Sequence, residues 1–260
     1  MKKIKWLIGL SGGINSMAVL CWLSEQSNKP DELHLYYAHF DEHSPDTMNF
    51  VQAGISYAKQ HFKSVVVKIT YNSVLKFFEQ ENMIPHPKFS PCSRKLKIEP
   101  IAQYGFENEI TVDLIGYVKH EIKKRAGNQQ AAIQPMFFEM SKQYPIGEFT
   151  DAWCFEIVDR CIGWHPAIYD IFWNEEDYTE GLCSKRDIGK RVFNHNNCLP
   201  CKNGDEKHLK AVKKYYPPYH LMAMKLSALL TAHWGRDKDK FYIQFGRELG
   251  QDVTCEYCKF

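Results

Sequence analysis

Lys5-Trp6-Leu7-Ile8-Gly9-Leu10-Ser11-Gly12-Gly13-Ile14-Asn15-Ser16 is the stretch whose reading decides the fold. Residues 4 to 10 form an apolar run of the length and continuity of a strand buried on both faces. The run ends on paired glycines. From 15 to 27, apolar or small residues recur at Met17, Ala18, Leu20, Cys21 and Leu23, the spacing of an amphipathic helix. A strand that turns through glycines into a helix suits a phosphate. Glycine lets backbone N–H groups approach an anion, Ser11 and Ser16 add hydroxyls, and the helix start offers unpaired amides. Gly12, Gly13 and Asn15 complete this candidate nucleotide-binding loop, whose spacing is neither that of a Walker A motif nor that of GxGxxG.

Outward from the loop the alternation continues. Strands are expected at 33–40, 64–69 and 109–115, and helices at 47–60, near 73–81, at 93–103 and from residue 119. This succession predicts an α/β, Rossmann-like, doubly wound and mainly parallel sheet with helices on both faces, and ligands beyond the carboxyl ends of its strands. One more helix is expected at 150–162, with Thr150 as its cap, and Asp46 is read as the cap of the helix beginning near residue 47. Helices at 207–214 and 220–232 are divided by Pro217-Pro218, which a continuous helix would not accommodate. The expected domains are 1–170, binding the nucleotide, and 171–260, a helical, basic, cysteine-containing appendage.

The 260 residues are 44% apolar and 25% charged, with a formal charge of +2, which excludes a disulfide-stapled miniature and an unstructured polyelectrolyte. No apolar run approaches the roughly 18 to 20 residues that span a bilayer. The basic start meets a glycine turn where a signal peptide would stay apolar, so a cytoplasmic protein without a membrane partner is expected. Charge is unevenly spread: residues 1–180 carry 18 Lys and Arg against 23 Asp and Glu, whereas residues 181–260 carry 15 against 8. The basic region suits a polyanion, nucleic acid included, with Tyr215, Tyr216 and Tyr219 as possible stacking groups; it equally serves solubility.

The loop of the form Ser-Gly-Gly-x-x-Ser at 11 to 16 resembles that of the PP-loop ATP pyrophosphatases, in particular their phosphoadenosine phosphosulfate reductase superfamily, with an adenine nucleotide alpha hydrolase-like fold. Reductases commonly have Lys-Asp where this chain has Ile14-Asn15. The segment Phe40-Asp41-Glu42-His43-Ser44-Pro45-Asp46-Thr47 resembles the acidic loop after the second strand. The resemblance implies that Asp41 contacts ribose or a metal on the triphosphate. Pro91-Cys92-Ser93-Arg94-Lys95 resembles the superfamily's Cys, Arg-Lys segment and implies phosphate or sulfate contacts for Arg94 and Lys95. Gly116-Tyr117-Val118-Lys119 through Arg125 resembles the reductases' substrate loop, implying a nucleotide contact at Gly116 and substrate contacts at Lys119 and Arg125. Pro145-Ile146 and Trp164-His165-Pro166 resemble later motifs of the same enzymes.

Nine cysteines are many for a cytosolic chain, and the odd number argues against complete disulfide pairing. Cys21, Cys154 and Cys161 fall in apolar helical patterns and read as core side chains. Cys198-Leu199-Pro200-Cys201 resembles the Cys-x-Pro-Cys of adenylyl sulfate reductases, which implies a [4Fe-4S] cluster held by Cys92, Cys183, Cys198 and Cys201. By spacing alone, Cys198 and Cys201 with Cys255 and Cys258 make two CxxC pairs, the pattern of a structural zinc site. Both readings stay open.

Two reactions go with the resemblance. A reductase would use Cys255 as the nucleophile on an adenylated sulfate, with a thioredoxin-like reductant releasing sulfite. An ATP pyrophosphatase would bind Mg-ATP on the loop and adenylate an acceptor for thiolation or amination, a nucleic acid among the possible acceptors, with a sulfur donor as partner. A non-enzymatic nucleotide- or nucleic-acid-binding module is the third expectation.

Overall fold

The computed structural model describes residues 3–82, 91–122, 140–172, 191–193, 195–196, 198–201 and 206–233. Strand β1 (Lys5–Leu10) leads through the glycine loop into helix α1 (Ile14–Ser24). There follow β2 (Glu32–Phe40), α2 (Thr47–His61), β3 (Val65–Asn72) and α3 (Val74–Gln80). A helical turn at Pro91–Ser93 passes through a widened π-helical turn, Arg94–Ile98, into α4 (Glu99–Glu107). Beyond it lie β4 (Val112–Leu114), β5 (Ser141–Gln143), α5 (Asp151–Ile162), a 3-10 turn (Ala167–Asp170), α6 (Glu206–Tyr215) and α7 (Pro217–His233).

The strand order is β3-β2-β1-β4-β5. Strand β1 pairs in parallel with β2, from Lys5↔Glu32 to Leu10↔Tyr37, and with β4, from Trp6↔Val112 to Ile8↔Leu114; β4 pairs in parallel with β5. The sheet is therefore doubly wound, as the alternating pattern predicted. Winding reverses between β1 and β4, and the glycine loop leaves β1 at that switch point, where such sheets bind ligands. Leu7 and Ile8 are wholly buried in this central strand, and burying a side chain of that size contributes about 1.5–3 kcal/mol.

Helix α1 departs from its predicted amphipathic character. Met17, Ala18, Leu20, Cys21 and Leu23 are buried, but so are Ile14, Ser16, Val19 and Ser24, so the helix is enclosed nearly all round. Helix α5 keeps one face, Cys154, Phe155, Ile157 and Val158, inward. Its amino end is capped by Thr150, whose hydroxyl accepts from the Trp153 amide at 3.3 Å, and it ends on Gly163 at φ +87°. The strand predicted at 109–115 is only three residues long. Strand β5 and the start of α7 at Pro217 extend beyond the sequence-based reading.

Two compact units divide the chain. Met1–His39, Ser44–Thr70 and Ile98–Asn196 make the first, and Phe40–His43, Tyr71–Lys97 and Asn197–Phe260 the second. In the second, Glu42 is buried and its carboxylate gathers the start of α3, accepting from Ser73 Oγ (2.5 Å), Val74 N (2.9 Å) and Leu75 N (3.1 Å). No helix among the described residues is long and apolar enough to cross a membrane.

Candidate functional site

The loop between β1 and α1 closes on itself. The Ser11 amide donates to Ser16 Oγ at 3.0 Å, the Gly13 amide to Ser11 Oγ at 3.3 Å, and Ser16 Oγ donates to the Gly13 carbonyl at 3.0 Å. The two hydroxyls lie 3.0 Å apart. Because the single Ser16 proton goes to Gly13, Ser11 is the donor in that pair. Both hydroxyls are thus held inside the loop and could turn outward to a phosphate without breaking the backbone. Helix α1 begins at Gly13 with no side-chain cap and no acid in its first turn, so its amino-terminal partial charge is not offset from within the helix.

Gly12 adopts φ +78°, a region that disfavours any side chain, and a Cβ there would collide with the Thr47 methyl group. A buried polar network fixes this conformation. Asn196 Nδ2 donates to the Gly12 carbonyl at 2.9 Å and to Thr47 Oγ1 at 2.8 Å, while Asn196 Oδ1 lies 3.2 Å from Ser44 Oγ. The Asn196 amide donates to the Tyr169 hydroxyl at 3.0 Å, and the same hydroxyl accepts from the Ile14 amide at 3.4 Å. Burial pushes the Tyr169 phenol up to about 12, although these amides and the Arg191 charge pull the other way, so the group remains a neutral hydroxyl. Asp46 is not the side-chain cap of α2 that the sequence suggested. Its two oxygens instead accept from Ser44 Oγ at 2.9 Å and from the Ala167 amide at 2.6 Å, tying the 3-10 turn to the α2 entry.

Gly116 follows β4 and faces the same helix start. A Cβ at this position would lie 2.9 Å from the Asn15 carbonyl group and 3.0 Å from the Ser16 amide, so glycine lets the β4 exit approach the first turn of α1. Asn15 Nδ2 donates to Glu121 Oε2 at 3.2 Å, and Glu121 is buried. Lys119 is exposed at the head of a helical turn. Ser11, Gly12, Gly13, Asn15, Ser16 and Gly116 are therefore brought together. Arg125 lies outside the described residues.

The remaining predicted groups belong to the second unit. Asp41 is exposed and ion-paired with Lys76 at 3.6 Å. Arg94 and Lys95 are exposed on the π-helical turn, a distortion that often accompanies functional sites. Cys198 is buried, Cys92 and Cys201 half-buried. Burial pushes the Cys198 thiol up; Lys97 opposes, and Cys201, Glu42 and Cys92 push it further up. The Leu199 amide, between the paired cysteines, donates to the Glu42 carbonyl at 2.8 Å. Sulfur donors suit iron or zinc, yet among the described residues no three His, Cys, Asp or Glu side chains converge to hold a metal. Cys183, Cys255 and Cys258 lie outside the described residues.

No protein-family model matches the chain, and no curated protein does. Among solved structures it is similar to the U34-tRNA thiolase NcsA from Methanococcus maripaludis with its [4Fe-4S] cluster, at 11% identity and a TM-score of 0.45, over all of this chain and 82% of that one. It is similar to the phosphoadenylyl-sulfate (PAPS) reductase from Candida auris in a phosphate complex, at 16% identity and 0.38, over 60% of this chain and 71% of that one. It is also similar to the NMN synthetase from Francisella tularensis, at 11% and 0.39, over 85% and 87%. At such distance no reaction, cluster or substrate passes from those proteins to this one.

Asn196, Tyr169, Glu121 and Arg191 are the residues around the loop that sequence reasoning missed. Arg191 is buried with its guanidinium 4.0 Å over the Phe155 ring and 5.9 Å from Tyr169. His165 sits between Asp159 (3.1 Å from Nδ1) and Asp170 (2.9 Å from Nε2), edge-on to Phe155 and Tyr169. Burial alone would depress its pKa, but the hydrogen bonds and charges of Asp159 and Asp170 outweigh burial and raise it to about 9. The imidazolium thereby braces the 3-10 turn that carries Tyr169. The Trp164-His165-Pro166 motif was the one signal for this support, since neither Asn196 nor Arg191 stands in a motif.

Proposed function

We propose that the chain is a PP-loop enzyme that binds ATP on residues 11 to 16 and adenylates an acceptor, which then takes sulfur or an amine. The observation that carries this reading is the loop at the β1/β4 switch point: left-handed Gly12, paired Ser11 and Ser16 hydroxyls, and a helix start without a side-chain cap. The acceptor oxygen attacks the α-phosphorus and the bond to the bridging oxygen breaks. Pyrophosphate leaves with its charge directed at the loop amides and hydroxyls. Magnesium, entering with ATP, would supply further charge neutralisation. The sulfonucleotide reductase reading needs Cys255 as nucleophile in addition to this loop, whereas adenylation needs only the loop, magnesium and a second substrate.

Two parts of this reading concern the carboxyl half. Exposed Lys210, Lys213 and Lys214 on α6 support a polyanionic acceptor such as a nucleic acid. The soft donors Cys92, Cys198 and Cys201, with Cys183, would hold a [4Fe-4S] cluster, and zinc on Cys198, Cys201, Cys255 and Cys258 is the competing occupancy; iron and zinc analysis of anaerobically purified protein separates them. Calorimetry with ATP and exchange of labelled pyrophosphate into ATP test the central reading. Ser16→Ala is expected to weaken ATP binding about tenfold, the loss of one hydrogen bond to a charged group. Absence of ATP binding by metal-replete wild-type protein would overturn it.

A further inference from the structure

The Tyr169 hydroxyl, 155 positions from Ile14 in sequence, stands at the start of α1 and accepts two amide protons, from Ile14 at 3.4 Å and from Asn196 at 3.0 Å. A phenol oxygen also has a proton of its own to give, and neither of these two bonds uses it. The neighbours show where it can go. The position that a Cβ of residue 13 would fill lies 3.2 Å from the Tyr169 oxygen and 3.4 Å from Ser11 Oγ, so the two hydroxyls flank the strip of backbone that glycine leaves bare. Ser11 is exposed and Gly13 half-buried, which opens this strip to solvent. Tyr169 itself is buried, with its ring edge-on to Phe155 at 5.3 Å, so its hydroxyl is fixed in place beside the helix start. Burial pushes the phenol up to about 12, which keeps the O–H protonated, while the Arg191 guanidinium, 5.9 Å from the ring, polarises it as a donor.

We propose that Tyr169 is a phosphate-binding residue of the nucleotide site, its hydroxyl carrying the donor character of the α1 start outward by donating to a phosphoryl oxygen of the bound nucleotide. This role rests on the reading of residues 11 to 16 as the ATP site and adds to it a contact supplied from outside the loop, by the 3-10 turn. Hydrogen bonds in a chain polarise one another, so an oxygen that accepts from two amides gives its own proton more strongly. No proton is transferred: the phenol stays neutral and the phosphate stays anionic. A donor held this rigidly needs no reorganisation when charge arrives, which is the condition for electrostatic stabilisation to be large. Asn196 links the two tasks, because it bonds the Gly12 carbonyl through its side chain and the Tyr169 oxygen through its amide.

Calorimetry on the full chain, with ATP and then with inorganic pyrophosphate, provides the test. Tyr169→Phe keeps the ring, removes the hydroxyl and is expected to weaken both ligands about tenfold, the loss of one hydrogen bond to a charged group. It also takes an acceptor from two amides, so a second variant separates ligand contact from loop support. Tyr169→3-fluorotyrosine retains the oxygen, but electron withdrawal makes it a stronger donor and a weaker acceptor. A tyrosine that only supports the loop loses by that change in Tm and in affinity alike; a phosphate donor binds both ligands more tightly than wild type even where the Tm falls. If Tyr169→Phe fails to fold, the fluorotyrosine comparison decides alone. Wild-type affinity after Tyr169→Phe, a loss confined to ATP, or fluorotyrosine binding no tighter than tyrosine would each overturn the proposal while leaving the ATP site standing. Absence of ATP binding by the wild-type chain would overturn the ATP-site reading itself, and this role with it.

Discussion

Asn196 Nδ2 lies 2.9 Å from the Gly12 carbonyl, 184 positions away, and this bond holds the left-handed turn of the nucleotide loop. Asn196→Ala removes the donor from two acceptors, the Gly12 carbonyl and Thr47 Oγ1, in a buried setting. A loss of about 1–3 kcal/mol in stability is expected, together with weaker ATP binding. Denaturant titration and calorimetry measure the two effects; unchanged values in both would refute a locking role for Asn196.

Gly12→Ala is expected to destabilise by about 1–2 kcal/mol for the left-handed backbone, with a steric penalty from the Thr47 methyl group in addition. Thr47→Ser removes that methyl and keeps the hydroxyl bound by Asn196. The double variant is therefore expected to recover the steric part and not the backbone part. A thermodynamic cycle over the four proteins reads this coupling directly, and strict additivity would contradict it.

Protonated His165 contributes stability because its folded pKa, about 9, lies above the ordinary value of 6.5. The contribution is present in full below about pH 6.5 and is lost as pH rises through about 9. His165→Gln is expected to lower the Tm at pH 6 and to flatten the decline between pH 7 and 9.5. Parallel Tm profiles for the two proteins would show that the pair Asp159 and Asp170 does not hold the imidazolium.

Glu42→Gln places an amide among donors. The carboxylate now accepts from Ser73 Oγ, Val74 N and Leu75 N, and leaving one of these unsatisfied costs about 1–3 kcal/mol. Faster hydrogen exchange across α3 is the expected signature. Protection equal to wild type would mean that the Glu42 carboxylate does not secure the helix start.

Local patterns carried the sheet and the loop, because a strand, paired glycines and a helix are written in adjacent residues. Strand β5 escaped detection because Ser141-Lys142-Gln143 has no apolar alternation and, among the described strands, pairs only with β4. The start of α7 escaped because prolines separate helices yet also fit a first turn, where the missing N–H would be unpaired anyway. Asp46 looked like a cap by position, but its oxygens went to Ser44 and Ala167, a choice made by tertiary packing. Asn196 and Tyr169 could not be read at all, since their roles exist only once distant segments meet.

The strand order also sets a timetable for synthesis. Strands β1 to β3 and their helices leave the ribosome as contiguous sequence and can pair among themselves, whereas β4 must wait until residue 114 has been made. The Gly12 lock waits longer, until Asn196 emerges. A nascent chain can thus hold three of its five strands while its anion-binding turn is still unset, and the nucleotide becomes able to reward folding only after residue 196 has been made.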